Sequence, residues 1–167
     1  MTKPRLILLI AAILTLILAM AWGFNLYNTK QEELRQQAAV ALDKGIDLFR
    51  ENKYTESLET FRNIPTGTIR DWHLPYYSAS AMVMLKDYKG ALSELEKALA
   101  LNPNETLILF ELGVVYFKLG KLDLSKAHFA AVYEIDPTNA EAKGLMDIMA
   151  NLERQQPDTK SAENTEN

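Results

Sequence analysis

The sequence predicts an all-α protein, a solenoid of three helical hairpins with a capping helix at one end and a transmembrane helix at the N-terminus. Three observations lead to this prediction. An uncharged apolar run opens the chain, side chains of similar size recur every 34 residues through its middle, and an amphipathic stretch with a polar tail closes it. With 167 residues, the chain is long enough for one ordinary core, so we expect one folded domain with attachments.

The apolar run extends over residues 6–24 and contains Thr15 as its one clearly polar side chain. About 20 apolar residues in a helix span the roughly 30 Å hydrocarbon core of a bilayer. A run without a polar face is not typical of a helix in the core of a soluble domain. We therefore expect residues 6–27 to form a transmembrane anchor.

The residues on either side of this anchor predict its orientation. Lys3 and Arg5 precede it, and Trp22 and Tyr27 lie at its far end. Basic residues are enriched on the cytoplasmic side of a membrane helix, and aromatic residues at the interfaces. We expect residues 1–5 to be cytoplasmic and the folded domain to be extracytoplasmic, which is periplasmic in a Gram-negative bacterium.

A cleaved signal peptide is the alternative for the same segment. Ala19, Met20 and Ala21 fit the A-x-A pattern of a cleavage site, and cleavage near Ala21 would give a secreted protein. The apolar run, however, continues to Phe24 without a turn-forming break before the site. This continuity favours the uncleaved anchor.

The segments around the repeats are predicted from composition. Residues 28–37 contain no Gly or Pro, so a juxtamembrane helix is expected to join the anchor to the first repeat without a flexible linker. Residues 140–154 mix apolar and charged side chains as an amphipathic helix does when it caps the end of a stack. Residues 155–167 are almost wholly polar, which predicts a disordered tail.

The 34-residue spacing divides the middle of the chain into units at 38–71, 72–105 and 106–139. A fixed period of this length indicates a stack of similar supersecondary units. The recurring columns are Gly45, Ala79 and Gly113; Tyr54, Tyr88 and Leu122; Ser57, Ala91 and Ser125; and Phe61, Leu95 and Phe129. Small side chains let two antiparallel helices approach and large ones fill the gap between neighbours, so each unit is predicted to be a helical hairpin.

These columns resemble the pattern of the tetratricopeptide-repeat (TPR) family over residues 38–139. The third unit is the most similar, with Leu112-Gly113, Tyr116, Phe129 and Pro137. The first unit departs from the pattern, because Ile69 stands where the family has a Pro. Together with the predicted N-terminal anchor, the resemblance implies a membrane-anchored TPR protein.

In that family, the first helix of each pair lines a concave groove that binds an extended peptide or a helix. The resemblance therefore implies a protein or peptide partner bound by Leu42, Ile46 and Phe49 in the first unit, Tyr76, Ser80 and Val83 in the second, and Leu107, Phe110, Val114 and Phe117 in the third. Such an apolar and aromatic surface favours a hydrophobic or amphipathic segment. The alternatives are that some of these residues belong to the core, or are covered by the N-terminal helix or a second copy.

The same resemblance argues against one class of ligand. TPR proteins that bind acidic chaperone tails need Lys and Asn where this chain has Leu42 and Ile46. In the third unit they have basic residues where this chain has Leu107 and Glu111. An acidic C-terminal tail is therefore not the expected partner.

Composition and motifs argue against other functions. The formal net charge of −4 does not favour nucleic-acid binding, and the absence of Cys excludes disulfides and thiolate chemistry. The two histidines, His73 and His128, lack carboxylate or histidine partners at metal-ligand spacing. No Gly-rich phosphate loop or nucleophile elbow is present. We expect a non-enzyme without catalytic residues, cofactor or metal.

The combined prediction is a single-pass bacterial membrane protein that serves as an adaptor or scaffold. It would bind its partner through the groove during the assembly or maintenance of envelope complexes. Two alternatives stay open. One is a self-assembling structural module, which would be a homo-oligomer, and the other is a non-catalytic subunit of a membrane enzyme complex.

Overall fold

The computed structural model describes residues 3–155, and within this range the chain forms seven α-helices and no strand. The helices are α1 (Lys3–Arg50), α2 (Tyr54–Arg62), α3 (His73–Met84), α4 (Tyr88–Leu101), α5 (Thr106–Lys118), α6 (Leu122–Ile135) and α7 (Ala140–Gln155). Met1, Thr2 and the predicted tail beyond Gln155 lie outside the described residues. The predicted all-α hairpin solenoid is confirmed.

The helices pack in the order in which they follow along the chain. α1 pairs with α2, α3 with α4 and α5 with α6, and successive pairs meet through α2–α3 and α4–α5. α1 also contacts α3, and α3 contacts α5, so the first helices of the three pairs are neighbours. α7 packs on α6 and ends the stack. This arrangement brings the C-terminal part of α1 together with α3 and α5 on one surface.

α1 is a single helix of 48 residues without interruption. It contains the apolar N-terminal run, the juxtamembrane segment and the first helix of the first pair. At 1.5 Å per residue, α1 is about 70 Å long. Among the side chains of α1 whose burial the structure describes, Ala38 is the first buried apolar one, and it lies roughly 16 Å beyond Tyr27 on the helix axis.

A small residue faces a phenylalanine ring in both the first and the third pair. The Phe61 ring packs on the backbone of Gly45, and the Phe129 ring packs on Gly113. A Cβ atom at Gly113 would lie 2.7 Å from Phe129 Cε1, which is closer than carbon atoms can approach. The glycines therefore allow the two helices of each pair to come close together.

A serine on the second helix of each of these pairs strengthens the same contact. The Ser57 hydroxyl donates a 2.8 Å hydrogen bond to the carbonyl oxygen of Gly45. The Ser125 hydroxyl donates a 2.7 Å hydrogen bond to the carbonyl oxygen of Gly113. Both serines are fully buried, so these bonds satisfy hydroxyl groups that water does not reach.

The backbone turns repeat at the same interval as the side chains. Asn52, Lys86 and Gly120 each end the first helix of a pair in the left-handed conformation, with φ of 62°, 64° and 73°. After each of them an N–H bonds to a carbonyl five residues back, as Lys121 does to Tyr116 at 2.9 Å. This hydrogen bond is typical of the Schellman motif that terminates helices.

The first pair is less regular than the other two. α2 has nine residues, whereas α4 and α6 have 14 each. α2 is followed by a loop that contains Pro65 and Gly67, and Gly67 has a φ of 82°. Ile69 of this loop and Leu74, near the start of α3, pack against the core of the first pair. The loop therefore shares a core with Ala38 and Leu42 of α1.

Candidate protein-binding surface

Side chains from α1, α3 and the residue before α3 form an aromatic row, defined as Phe49, Tyr77, Tyr76 and Trp72. Successive ring centroids in this order are 5.7, 5.3 and 5.6 Å apart, and all three pairs meet edge to face. Each such contact stabilises the arrangement by about 0.5–1.5 kcal/mol beyond the burial of the rings. All four side chains are partly buried, so the row is held in place and still reachable.

Two members of the aromatic row were not among the predicted site residues. The prediction named Phe49 and Tyr76 but not Tyr77 and Trp72. The concentration of aromatic residues between 72 and 77 was the available sequence signal. Tyr77 fell outside the predicted columns because it follows Tyr76 directly, yet the two rings share the surface of one helix turn.

A second group of predicted residues surrounds an apolar cleft, defined by Phe110, Val114 and Phe117 of α5 and by Leu145 and Ile148 of α7. The cleft has a volume of about 230 Å³. The Phe110 ring is fixed by an edge-to-face contact with Phe129, at 5.2 Å between centroids. Lys118 and Glu141 also line the cleft. The contribution of α7 was missed because the sequence predicted only a capping role for that helix.

The remaining predicted residues are distributed between the core and the surface. Leu42 is only 9% exposed and packs with Ala38, Phe61 and Ile64, so it is a core residue rather than an open binding residue. Phe61 of α2 and Ile64 of the loop that follows it complete this core.

Ile46 and Val83 are partly buried against the core, so only the exposed part of each side chain can contact a ligand. Leu107, in contrast, is 52% exposed and stands open on α5.

Tyr76 of the aromatic row interacts with two polar side chains, Ser80 of α3 and Glu111 of α5. Burial raises the pKa of Tyr76 to about 12, and the charge of Glu111 adds to the rise. Burial also raises the pKa of the Glu111 carboxyl. The Ser80 hydroxyl is close enough to Tyr76 to offset part of its shift. Ser80 Oγ nevertheless has no partner at hydrogen-bonding geometry among the described residues.

The two histidines lie in separate environments. His73 Nδ1 lies 2.6 Å from Asp71 Oδ1; burial alone would raise the pKa of Asp71, but the hydrogen bonds from His73 hold it below its usual range. His128 stacks on Tyr116 at 5.3 Å, and burial lowers its pKa. Within residues 3–155, no three His, Asp or Glu side chains are grouped so that they could hold a metal ion.

A larger cavity of about 340 Å³ lies under the loop after α2. It is lined by residues of α2, α3 and α4, such as Phe61, Met82 and Leu101, and by none of the predicted site residues. Its walls include the loop residues Pro65 and Gly67. We assign the candidate site to the aromatic row and the apolar cleft, because these gather side chains from the first helices of all three pairs.

The N-terminal part of α1 satisfies the length and composition of a membrane-crossing helix. The helix from Ile10 onwards is long enough, and none of its apolar window is buried by other parts of the described chain. A signal sequence near an N-terminus meets the same criteria. The finding therefore identifies a candidate span.

Comparison with known proteins agrees with the repeat pattern. The model of the family described as Tetratricopeptide repeat matches residues 82–152. Human RNA polymerase II-associated protein 3 is 33% identical over 107 residues, which make up 64% of this chain. The chain spans only 16% of the length of that relative.

Solved structures show the same fold. The first TPR domain of Spaghetti (RPAP3), bound to the HSP90 peptide SRMEEVD, has a TM-score of 0.66 and 30% identity, covering 70% of this chain and 93% of that one. The first TPR domain of human RPAP3 has a TM-score of 0.63 and 30% identity, covering 68% and 90%. The family match, the sequence identity and the shared fold show that this chain belongs to the tetratricopeptide-repeat family.

Proposed function

We propose that this protein is a membrane-anchored TPR adaptor, which binds a segment of another protein through the aromatic row and the apolar cleft. The observation that carries the proposal is the continuity of α1. One end of this helix is apolar and exposed, and the other end contributes Phe49 to the candidate binding surface. A single rigid element would thus connect a bilayer to a bound partner.

The anchoring half of the proposal is supported by the exposed apolar surface of α1. Leu18 and Phe24 are 69% and 67% exposed, and no other part of the described chain packs on this stretch. Apolar surface left in water is unfavourable by roughly 25 cal/mol per Å². A bilayer would cover this surface, and residues 6–27 would span about 33 Å as a helix, close to the thickness of a hydrocarbon core.

We further propose that the N-terminus is cytoplasmic and that the folded domain is extracytoplasmic, in the assembly or maintenance of envelope complexes. Lys3 and Arg5 support this orientation. With about 16 Å of helix between Tyr27 and Ala38, the binding surface would stay close to the bilayer. A partner that is itself in the membrane, or that is brought to it, would fit this position.

The mass of the intact protein in the membrane fraction tests the anchor. We expect the full chain, resistant to extraction by alkaline carbonate. A mature form that begins shortly after Ala21 and is recovered in soluble fractions would replace the anchor with a cleaved signal peptide.

The binding half of the proposal is supported by the relatives. The first TPR domain of Spaghetti (RPAP3) carries a bound HSP90 peptide, SRMEEVD, which ends in an acidic sequence. This chain has the same fold, but its own side chains at the predicted site do not favour an acidic tail. Leu42 is buried, Leu107 is apolar and Glu111 is acidic. We therefore propose an apolar or amphipathic segment as the ligand, rather than an acidic tail.

A charge placed in the cleft tests the binding surface. Phe117 is 36% exposed at the cleft, so Phe117→Glu changes the surface with little effect on the core. Ile135→Glu on α6 is the matched control, because Ile135 is 48% exposed and does not line the cleft. We expect Phe117→Glu to lose the proteins that crosslink to the full chain in its native membrane, and Ile135→Glu to retain them.

The identity and mass of the crosslinked species separate the alternatives. A second, different protein supports the adaptor. A species containing only this chain, lost in Phe117→Glu, would replace the adaptor with self-assembly through the same surface. Equal retention by both variants would show that the cleft does not bind the partner.

A further inference from the structure

Glu111 is a half-buried carboxylate on α5 that makes no hydrogen bond or ion pair with any residue between 3 and 155. It lies on the helix face that also carries Leu107 and Val114, four residues before it and three after it. Lys118 is two helical turns further along, at about 10 Å on the axis, too far to pair with it. The carboxylate is partly shielded from water, but its oxygens are not fully enclosed, so a cation from outside can still reach them.

Two side chains of α3 complete the environment of Glu111. Tyr76 and Ser80 are one helical turn apart on α3, which contacts α5. Ser80 is 7% exposed, and its Oγ has no hydrogen-bonding partner among the described residues. A buried hydroxyl normally has a partner, and this one can either donate or accept. The charge of Glu111 acts on Tyr76, and the Ser80 hydroxyl is enclosed next to the same side chain, so Tyr76 is the side chain of α3 that a ligand at Glu111 can reach.

We infer that Glu111 and Tyr76 form a socket for the side chain of a lysine or arginine in the bound partner segment. This inference rests on the proposed function, because it specifies the chemistry of the segment that the surface would bind. The cation would pair with the Glu111 carboxylate. It would also lie near the Tyr76 ring, whose face attracts cations.

Charge complementarity selects this occupant over the other candidates. An acidic side chain would be repelled by Glu111, and an apolar one would leave the carboxylate without a partner. A cationic side chain pairs with the carboxylate. The apolar side chains next to it in the segment would enter the cleft formed by Phe110, Phe117 and their neighbours.

The test is a selection of peptides from a random display library, with the full chain held in lipid nanodiscs. We expect the selected peptides to carry Lys or Arg at one position, flanked by apolar residues. Replacing that Lys or Arg by Gln in a selected peptide should weaken binding at least about tenfold, since hydrogen bonds to charged groups are strong. Selected peptides without a basic position would overturn the inference.

A pair of charge-matched variants assigns the preference to Glu111. Glu111→Gln removes the carboxylate at nearly constant volume, and Glu96→Gln removes the same charge from the exposed side of α4. We expect Glu111→Gln to lose the basic preference and Glu96→Gln to retain it. The same basic preference in both variants would also overturn the inference. Failure of the wild-type chain to enrich any peptide would overturn the proposed function together with it.

Discussion

The Phe129 ring lies against the backbone of Gly113, where a Cβ atom would stand 2.7 Å from Phe129 Cε1. The ring is 1% exposed and the core around it is closed, so it cannot move aside without disturbing Val132 and Met149. Gly113 is therefore required by a contact between helices and not by a turn. The same relationship holds between Gly45 and Phe61 in the first pair.

We predict that Gly113→Ala destabilises the fold by about 1–3 kcal/mol, because the added methyl group overpacks a full core. Alanine has a higher helix propensity than glycine by about 1 kcal/mol, so the overpacking must outweigh this gain for the variant to be less stable. Gly144→Ala in α7 is the control, since nothing lies within 4 Å of its added Cβ. Thermal unfolding followed by circular dichroism should show a lower Tm for Gly113→Ala and an equal or higher Tm for Gly144→Ala.

The hydrogen bond from Ser125 to Gly113 predicts a smaller loss of stability when it is removed. Ser125→Ala should cost about 1 kcal/mol, the net value of a typical buried hydrogen bond. The second pair already has Ala91 at this column, so the substitution is compatible with the fold. Ser93→Ala on the exposed side of α4 is the control and should leave the midpoint of denaturant unfolding unchanged. Equal midpoints for the two variants would contradict a role for the Ser125 hydrogen bond.

The three left-handed turn residues differ in chemistry but share one conformation. Lys86 has a φ of 64°, which costs a side-chain-bearing residue about 1–2 kcal/mol. Lys86→Gly should therefore stabilise the protein by up to about 1 kcal/mol, whereas Gly120→Ala at the equivalent turn should destabilise it by a similar amount. Opposite shifts in Tm for the two variants are the expected result, and shifts of the same sign would contradict the turn geometry.

The raised pKa of the Glu111 carboxyl predicts that the stability of the protein depends on pH. Burial raises the pKa of its carboxyl above 4.5, so the folded protein binds this proton more tightly than the unfolded chain does. The stabilisation that follows is present below about pH 4.5 and is lost as the pH rises through the elevated pKa. Glu111→Gln should thus raise Tm at pH 7 and have a much smaller effect at pH 4. A lower Tm at pH 7 would show that the carboxylate has a partner within the protein.

The repeat architecture could be predicted because each hairpin uses the same contacts at the same interval. The column of Gly45, Ala79 and Gly113 consists of small residues, which indicate that the two helices of each pair approach closely. The absence of Gly and Pro from residues 28–37 led to the expectation of an unbroken helix, and α1 runs through this segment without a break.

The details of the binding surface could not be predicted, because they depend on contacts between distant parts of the chain. Leu42 is buried in a core that it shares with Phe61 of α2 and with Ile64 of the irregular loop after α2, and this loop has no counterpart in the other repeats. The apolar cleft needs Leu145 and Ile148 of α7, and the amphipathic pattern of α7 does not reveal which apolar side chains remain open. Glu111 was recognised only as a departure from a basic position, since its lack of a partner is visible only in three dimensions.

The most direct test of the account is photo-crosslinking from single positions of the full chain in its native membrane. A photoreactive side chain at Ile148 or Phe117 probes the proposed surface, and one at Ile135 or Leu101 probes exposed positions on the second helices. The account predicts crosslinks to one partner protein from the first two positions and none from the other two. Crosslinks of equal strength from all four positions, or from the second helices alone, would contradict it.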